Sequence, residues 1–362
     1  MSARPNPGRG LTVLLILLLT ASCGTTTTTT TTTTPTAAIS PARPTSEPSS
    51  QPAVAPVRWT DCGEGFLCAS LRVPRDHAVT GSGTLNISLI RLPATGKLAR
   101  IGSLVLEPGG PGASGVEFVR DSAKRFPAAI RDRFDVVGFD PRGVNSSSAV
   151  RCIDNLDGRA DLDPSPDDAT ELQALVDDAR AYAEACGSRN DATLSYLSTD
   201  AVVDDLEGIR VAIGDEKLTY LGFSYGTLIG ALYADRYPGR IRAMVLDGAV
   251  DPSLDLEQLR KDQARAFEIS LGHFLADCAA RTNCPFQGNG RPNKAFDALM
   301  AAIDAHALPT PRAGGRRTVG PGLAASAVLG AMYSTTSWPT LATALERAEM
   351  GDGSVMLRIS DP

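Results

Sequence analysis

Apolar and polar residues alternate over "LNISLIRL", with Leu85, Ile87 and Leu89 on one side, which predicts a half-buried strand. The preceding "LRVPRDH" reads as a second strand. Four further segments are short and nearly continuous in apolar residues: Ile101 to Glu107, "FDVVGFDPRG", "LTYLGFS" and "IRAMVLDGAVDP". Helical spacing separates them. Roughly Gly115 to Phe126 is one helix. "TDAVVDDLEGIRVAIG" is another, with Val202, Leu206, Ile209 and Val211 near one face and Thr199 or Asp200 as its cap. Such strands alternating with helices predict an α/β fold, a mostly parallel sheet covered on both faces. Its strands end in Gly, Asp and Pro turns, so the loops gather at the carboxyl edge, where open α/β sheets bind ligands. After Asp251 the period is helical alone over four stretches, with no strand between them. A core over residues 58–252 and a helical cap over 253–362 are therefore expected.

The first 57 residues follow a different pattern. Arg4 and Arg9 precede the apolar run Leu11 to Ser22, too short to span a bilayer comfortably, which predicts a signal peptide over 1–22. "TASC" resembles a bacterial lipobox and makes Cys23 the expected lipidation site and membrane anchor; the alternative is an ordinary secretory signal cut nearby. Residues 23–57 hold an unbroken threonine run, Thr25 to Thr34, and are otherwise rich in Pro, Ser, Ala and Thr. With so little apolar surface they predict a solvated tether.

Composition changes the picture in two places. The formal net charge of −6 argues against a nucleic-acid partner. Seven cysteines suit an oxidising compartment, and six remain beside Cys23: Cys62, Cys68, Cys152, Cys186, Cys278 and Cys284. Several pairings are open, of which nearest neighbours closing three local loops are the simplest. Metal-ligand spacings are absent, and no cofactor is expected.

Chemistry concentrates at Gly222-Phe223-Ser224-Tyr225-Gly226, a G-x-S-x-G run. A strand precedes it and a helix follows, the setting in which a tight turn exposes a serine hydroxyl as a nucleophile. "EPGGPG", Glu107 to Gly112, follows the third strand. The N–H groups of Tyr225 and Gly110 are the candidate oxyanion-hole donors.

In order, "GGPG", "VVGFDPRGV", "LTYLGFSYGT" and "AMVLDGAVDP" resemble the exported actinobacterial α/β-hydrolases of the tripeptidyl aminopeptidase and carboxylesterase A type. The likeness runs from about Trp59 onward and includes Cys62/Cys68, Cys152/Cys186 and "ADCAARTNCP". It implies the α/β-hydrolase fold and acyl-enzyme hydrolysis of peptides from their amino termini, or of esters, outside the cell. Glu107 departs from the Asn or His often found there in that family.

A serine nucleophile needs a base, and the chain holds three histidines. His77 precedes the serine, against the expected order Ser, acid, His. His273 and His306 fall within or at the end of cap helices. Asp247 and Asp251 match a family turn and read as structural. In the resembled family the acid and histidine follow the cap, so the reading is of a fragment lacking the last strands and inactive alone. The alternatives are a carboxylesterase or lipase-like hydrolase and a non-catalytic, lipid-anchored peptide-binding protein. An aminopeptidase would hold the substrate ammonium with cap carboxylates, for which Glu257 and Asp262 are the candidates.

Overall fold

The computed structural model describes residues 55–96, 99–160 and 162–360; Cys23, the signal segment and the threonine run lie outside these residues. Strands β1 (Thr60–Asp61), β2 (Leu67–Pro74), β3 (Thr84–Leu92), β4 (Gly102–Glu107), β5 (Phe134–Phe139), β6 (Leu218–Phe223) and β7 (Ile241–Asp247) form one sheet in the order β1-β2-β3-β5-β4-β6-β7. The first three are antiparallel neighbours, and β3 joins β5 antiparallel. The other neighbours, β5-β4-β6-β7, are parallel. All six strands expected from the sequence are present, and β1 adds a two-residue bridge.

Helices α1 (Gly115–Ser122), α2 (Ala128–Arg131), α3 (Asp157–Ala160), α4 (Ala169–Asn190), α5 (Thr199–Ala212) and α6 (Tyr225–Arg236) follow or connect these strands. Alternation along β4 explains the two cores. Val105 points to the face where Val203, Leu206, Ile229 and Tyr233 of α5 and α6 pack. Leu104 and Leu106 point to the other, with Val119 of α1 and Phe66. Because β4 is buried on both faces, its central residues Leu104, Val105 and Leu106 are apolar in succession.

Two local expectations are corrected. The cap of α5 is Ser198, whose extended backbone (φ −68°, ψ 155°) lets its Oγ accept the Ala201 N–H at 3.3 Å. Thr199 already lies within the helix and turns its hydroxyl elsewhere. The helix expected to Phe126 ends as an α-helix at Ser122 and tightens into one 3₁₀ turn, because Phe126 precedes Pro127 and adopts ψ 145°.

From Leu256 onward come α7 (Leu256–Ala280), α8 (Pro292–Ala305), α9 (Pro321–Met332), α10 (Trp338–Glu349) and α11 (Ser354–Ser360). They share a separate core around Phe274, Leu299, Leu323, Leu341 and Met356. Contrary to the all-helical expectation, β8 (Leu308–Pro309) and β9 (Thr318–Val319) pair antiparallel there. Two residues per strand are too few for alternation to register in a sequence. Among the described residues no helix is long and apolar enough to cross a membrane.

Disulfides join Cys62 to Cys68, Cys152 to Cys186 and Cys278 to Cys284. The second spans 34 residues and ties down α4, which has no fully buried residue. Replacing Cys152 and Cys186 together by alanine is expected to cost about 2–4 kcal/mol. Since α4 contributes little to either core, limited proteolysis should cut within residues 153–190 before the rest unfolds.

Candidate functional site

Strand register brings three loops together. Glu107 ends β4 opposite Gly222, and Phe223 ends β6 opposite Asp247. Between Phe223 and Tyr225 a single residue makes the strand-to-helix turn. Ser224 does so at φ 50° and ψ −122°, a conformation rarely occupied by a residue with a Cβ. The surroundings hold it there. Its N–H donates to the Asp247 carbonyl at 2.9 Å. Its own carbonyl accepts the Thr227 N–H at 2.9 Å and the Thr227 hydroxyl at 2.6 Å. Ser224 is exposed, and its hydroxyl has no hydrogen-bond partner among the described residues.

Close packing around the turn explains the flanking glycines. A Cβ at Gly222 would stand 2.6 Å from the Gly226 carbonyl oxygen, and one at Gly226 would overlap the Glu107 carbonyl. Gly109, at φ +92°, sits so near the elbow that its Cβ would lie 2.7 Å from the Tyr225 nitrogen. The arm after β4 therefore lies against the first turn of α6. Neither the Tyr225 nor the Gly110 N–H donates to a backbone carbonyl among the described residues. The Tyr225 N–H opens the first turn of α6, where the helix dipole favours negative charge, and Gly110 follows Gly109 in the arm packed against that turn.

Beside the elbow is a cavity of about 320 Å³. Val144, Val150, Leu197, Val202 and Ile229 give it apolar walls, and Tyr225, Gly109 and Glu107 border it on the elbow side. A hydroxyl pair, Thr199 Oγ1 and Tyr225 OH at 2.5 Å, is its polar feature. Arg142 also lines it, but its guanidinium is committed elsewhere. It grips both oxygens of Asp205 at 2.7 and 2.6 Å and donates to the carbonyls of Pro74, Arg75 and Tyr196. This buried pair escaped the sequence reading; the only signal was an arginine directly after a strand end, in "DPRG".

Glu107 is fully buried. Its Oε1 accepts the Gly109 N–H at 3.3 Å, while Oε2 has no partner. Burial, with Asp140 adding like charge, pushes its carboxyl well above the usual range. Burial likewise raises Tyr220, whose hydroxyl donates to the Gly226 carbonyl at 2.7 Å.

The histidines stand apart from the serine. His77 Nε2 lies 2.8 Å from Asp205 Oδ1 and 3.0 Å from Arg142 Nη2, on the buried ion pair. His273 is exposed on α7, and exposed His306 caps the end of α8. None lines the cavity or hydrogen-bonds Ser224. Asp251 closes a turn by accepting the Ser253 N–H and hydroxyl at 2.8 and 2.7 Å, which lowers its pKa. The ammonium-binding candidates are not at the cavity: Glu257 pairs with Lys261 at 2.5 Å and Asp262 accepts from Gln258 at 2.9 Å, all on exposed faces of α7.

Comparison with known proteins agrees with this geometry. The chain is 38% identical over 326 residues to serine protease Hip1 of Mycobacterium tuberculosis, covering 84% of this chain and 62% of that protein. It is 31% identical over 342 residues to a tripeptidyl aminopeptidase of Streptomyces lividans, covering 89% and 61%. Carboxylesterase B of Mycobacterium tuberculosis is 33% identical over 359 residues, covering 90% and 66%. The chain thus spans less than two thirds of the length of these relatives. Residues 102–289, which hold β4 to β7, the elbow and the glycine-rich arm, match the profile described as alpha/beta hydrolase fold, and the chain belongs to that family.

Proposed function

We propose that Ser224 is the nucleophile of a peptidase-type serine hydrolase that forms an acyl-enzyme on peptides attacked from the amino terminus. The strained turn at Ser224 supports this reading: an exposed hydroxyl with no hydrogen-bond partner among the described residues stands at the carboxyl edge of the sheet beside the Tyr225 amide and the Gly109–Gly110 arm. Ser224 Oγ would attack the substrate carbonyl, and the two amides would hold the developing oxyanion. One such donor is worth roughly 2.7–4 kcal/mol in the transition state. The Ser224 hydroxyl proton passes to water on attack, collapse of the intermediate breaks the C–N bond as the leaving amine takes a proton from water, and a second water then hydrolyses the acyl ester. Peptidase names among the relatives support the amide substrate.

The protein works outside the cell in this reading. A signal over 1–22 exports it, lipid at Cys23 holds it on the membrane, and residues 23–57 are the tether. Three disulfides suit that compartment. One observation favours esters as a second substrate class: the cavity walls are apolar, and its bordering carboxyl, Glu107, is buried. Assays on peptide amides and short acyl esters separate the two.

Among the described residues no histidine hydrogen-bonds Ser224. Oxyanion hole and binding alone leave about 10³–10⁴-fold acceleration over water. A fluorophosphonate probe should label the chain slowly, on Ser224 by mass spectrometry, and Ser224→Ala should not label. The rate should climb about tenfold per pH unit through neutrality, because the reactive form is the scarce alkoxide. A plateau near pH 7 would mean that a base is at work. Absence of any Ser224 adduct would end the nucleophile assignment.

A further inference from the structure

Glu107 stands where the strand carrying the oxyanion arm meets the elbow, and its surroundings are unlike those of an ionised carboxylate. It is fully buried, and no lysine or arginine pairs with it among the described residues. One oxygen takes a single long bond from Gly109 N–H at 3.3 Å; the other takes none. Arg142, the cation lining the same cavity, is spent on Asp205 and three carbonyls. The groups facing Glu107 from neighbouring elements make a charge there worse. Asp140, after β5, adds like charge, and Tyr220 on β6 turns its hydroxyl to the Gly226 carbonyl instead. An unpaired carboxylate in such a site is far costlier than an unpaired neutral hydroxyl.

We infer that Glu107 is a positioning residue that works as a neutral carboxylic acid, holding the Gly109–Gly110 arm of the oxyanion hole against the elbow. Two contacts do this. Oε1 accepts the Gly109 N–H, and the side-chain stem fills the space over Gly226, where an added Cβ would lie 3.0 Å from Glu107 Cγ. Neither contact uses the charge. The raised pKa agrees, with burial as its leading cause. The inference rests on the proposed role of Ser224 and adds how its oxyanion arm is fixed.

Linkage gives a test that does not depend on turnover. The folded-state pKa is raised, so the folded chain keeps a proton that the unfolded chain releases above the ordinary value of 4.5. Stability from this group is complete below that pH and is lost as pH rises towards the folded pKa. Glu107→Gln keeps the shape and the acceptor without the proton. Its melting temperature relative to the parent chain should therefore climb as pH rises above about 5 and level off once the folded-state pKa is passed. In the labelling assay, Glu107→Leu should be about 10–100-fold slower, the scale of an ångström-sized misplacement of a catalytic group, and Glu107→Gln should restore the rate to within about threefold. A melting difference flat with pH, or a Gln variant as slow as the Leu variant, would overturn the neutral-acid role. If the parent chain never labels at Ser224, the nucleophile reading fails, while the melting series still reports on Glu107.

Discussion

Arg142→Met is expected to remove about 3–5 kcal/mol of folding stability, read as a lower midpoint in urea denaturation. The reason is topological as well as electrostatic. The Arg142 side chain is 0% exposed and that of Asp205 1%, so neither charge has water to fall back on. The guanidinium joins the end of β2 through Pro74 and Arg75, the segment before α5 through Tyr196, and α5 itself through Asp205. Its removal leaves the buried carboxylate with His77 alone beside it, at 2.8 Å, and strands three carbonyls. Asp205→Leu should be comparably damaging, since it leaves the arginine charged and half satisfied. Combining Arg142→Met with Asp205→Leu should recover a substantial part, because the stranded charge goes while the carbonyls stay unpaired. A strictly additive double-mutant cycle would show that the two residues do not act as a pair.

That cluster also marks what a sequence can and cannot disclose. Strands β2 to β7 were legible because apolar runs and alternation are local signals, and the turn at Ser224 because two glycines, a serine and the flanking elements fall within a dozen residues. Arg142 and Asp205 are 63 positions apart, and beyond the place of Arg142 directly after a strand end their local sequence does not distinguish them from solvated charges. Glu107 was visible only as a departure from a familial pattern. Its burial depends on Gly226 closing over it from another element. The short β8–β9 pair was missed for the opposite reason, having too few residues to carry any period. Ser198 lost its place as the α5 cap to its two polar neighbours because several polar residues stand together there, and only backbone dihedrals separate the last extended residue from the first helical one.

Gly109→Ala is expected to slow fluorophosphonate labelling of Ser224 by about 10²–10³-fold, the measured scale for losing one oxyanion donor. Gly109 has φ +92°, and its added Cβ would meet the Phe223 carbonyl oxygen at 2.5 Å and the Tyr225 nitrogen at 2.7 Å. Both are backbone atoms of the elbow and cannot swing aside, so the arm itself must back away and carry the Gly110 N–H with it. Gly112, three residues on, supplies the control. It has a similar φ of +99°, yet nothing lies within 4 Å of its Cβ position. Gly112→Ala therefore incurs the conformational strain, about 1–2 kcal/mol, without the collision. It should lower the melting temperature while leaving the labelling rate within about threefold. Equal slowing in both variants would assign the effect to backbone strain and detach the arm from the chemistry. A fast Gly109→Ala enzyme would show that the serine draws its oxyanion stabilisation from the α6 side alone.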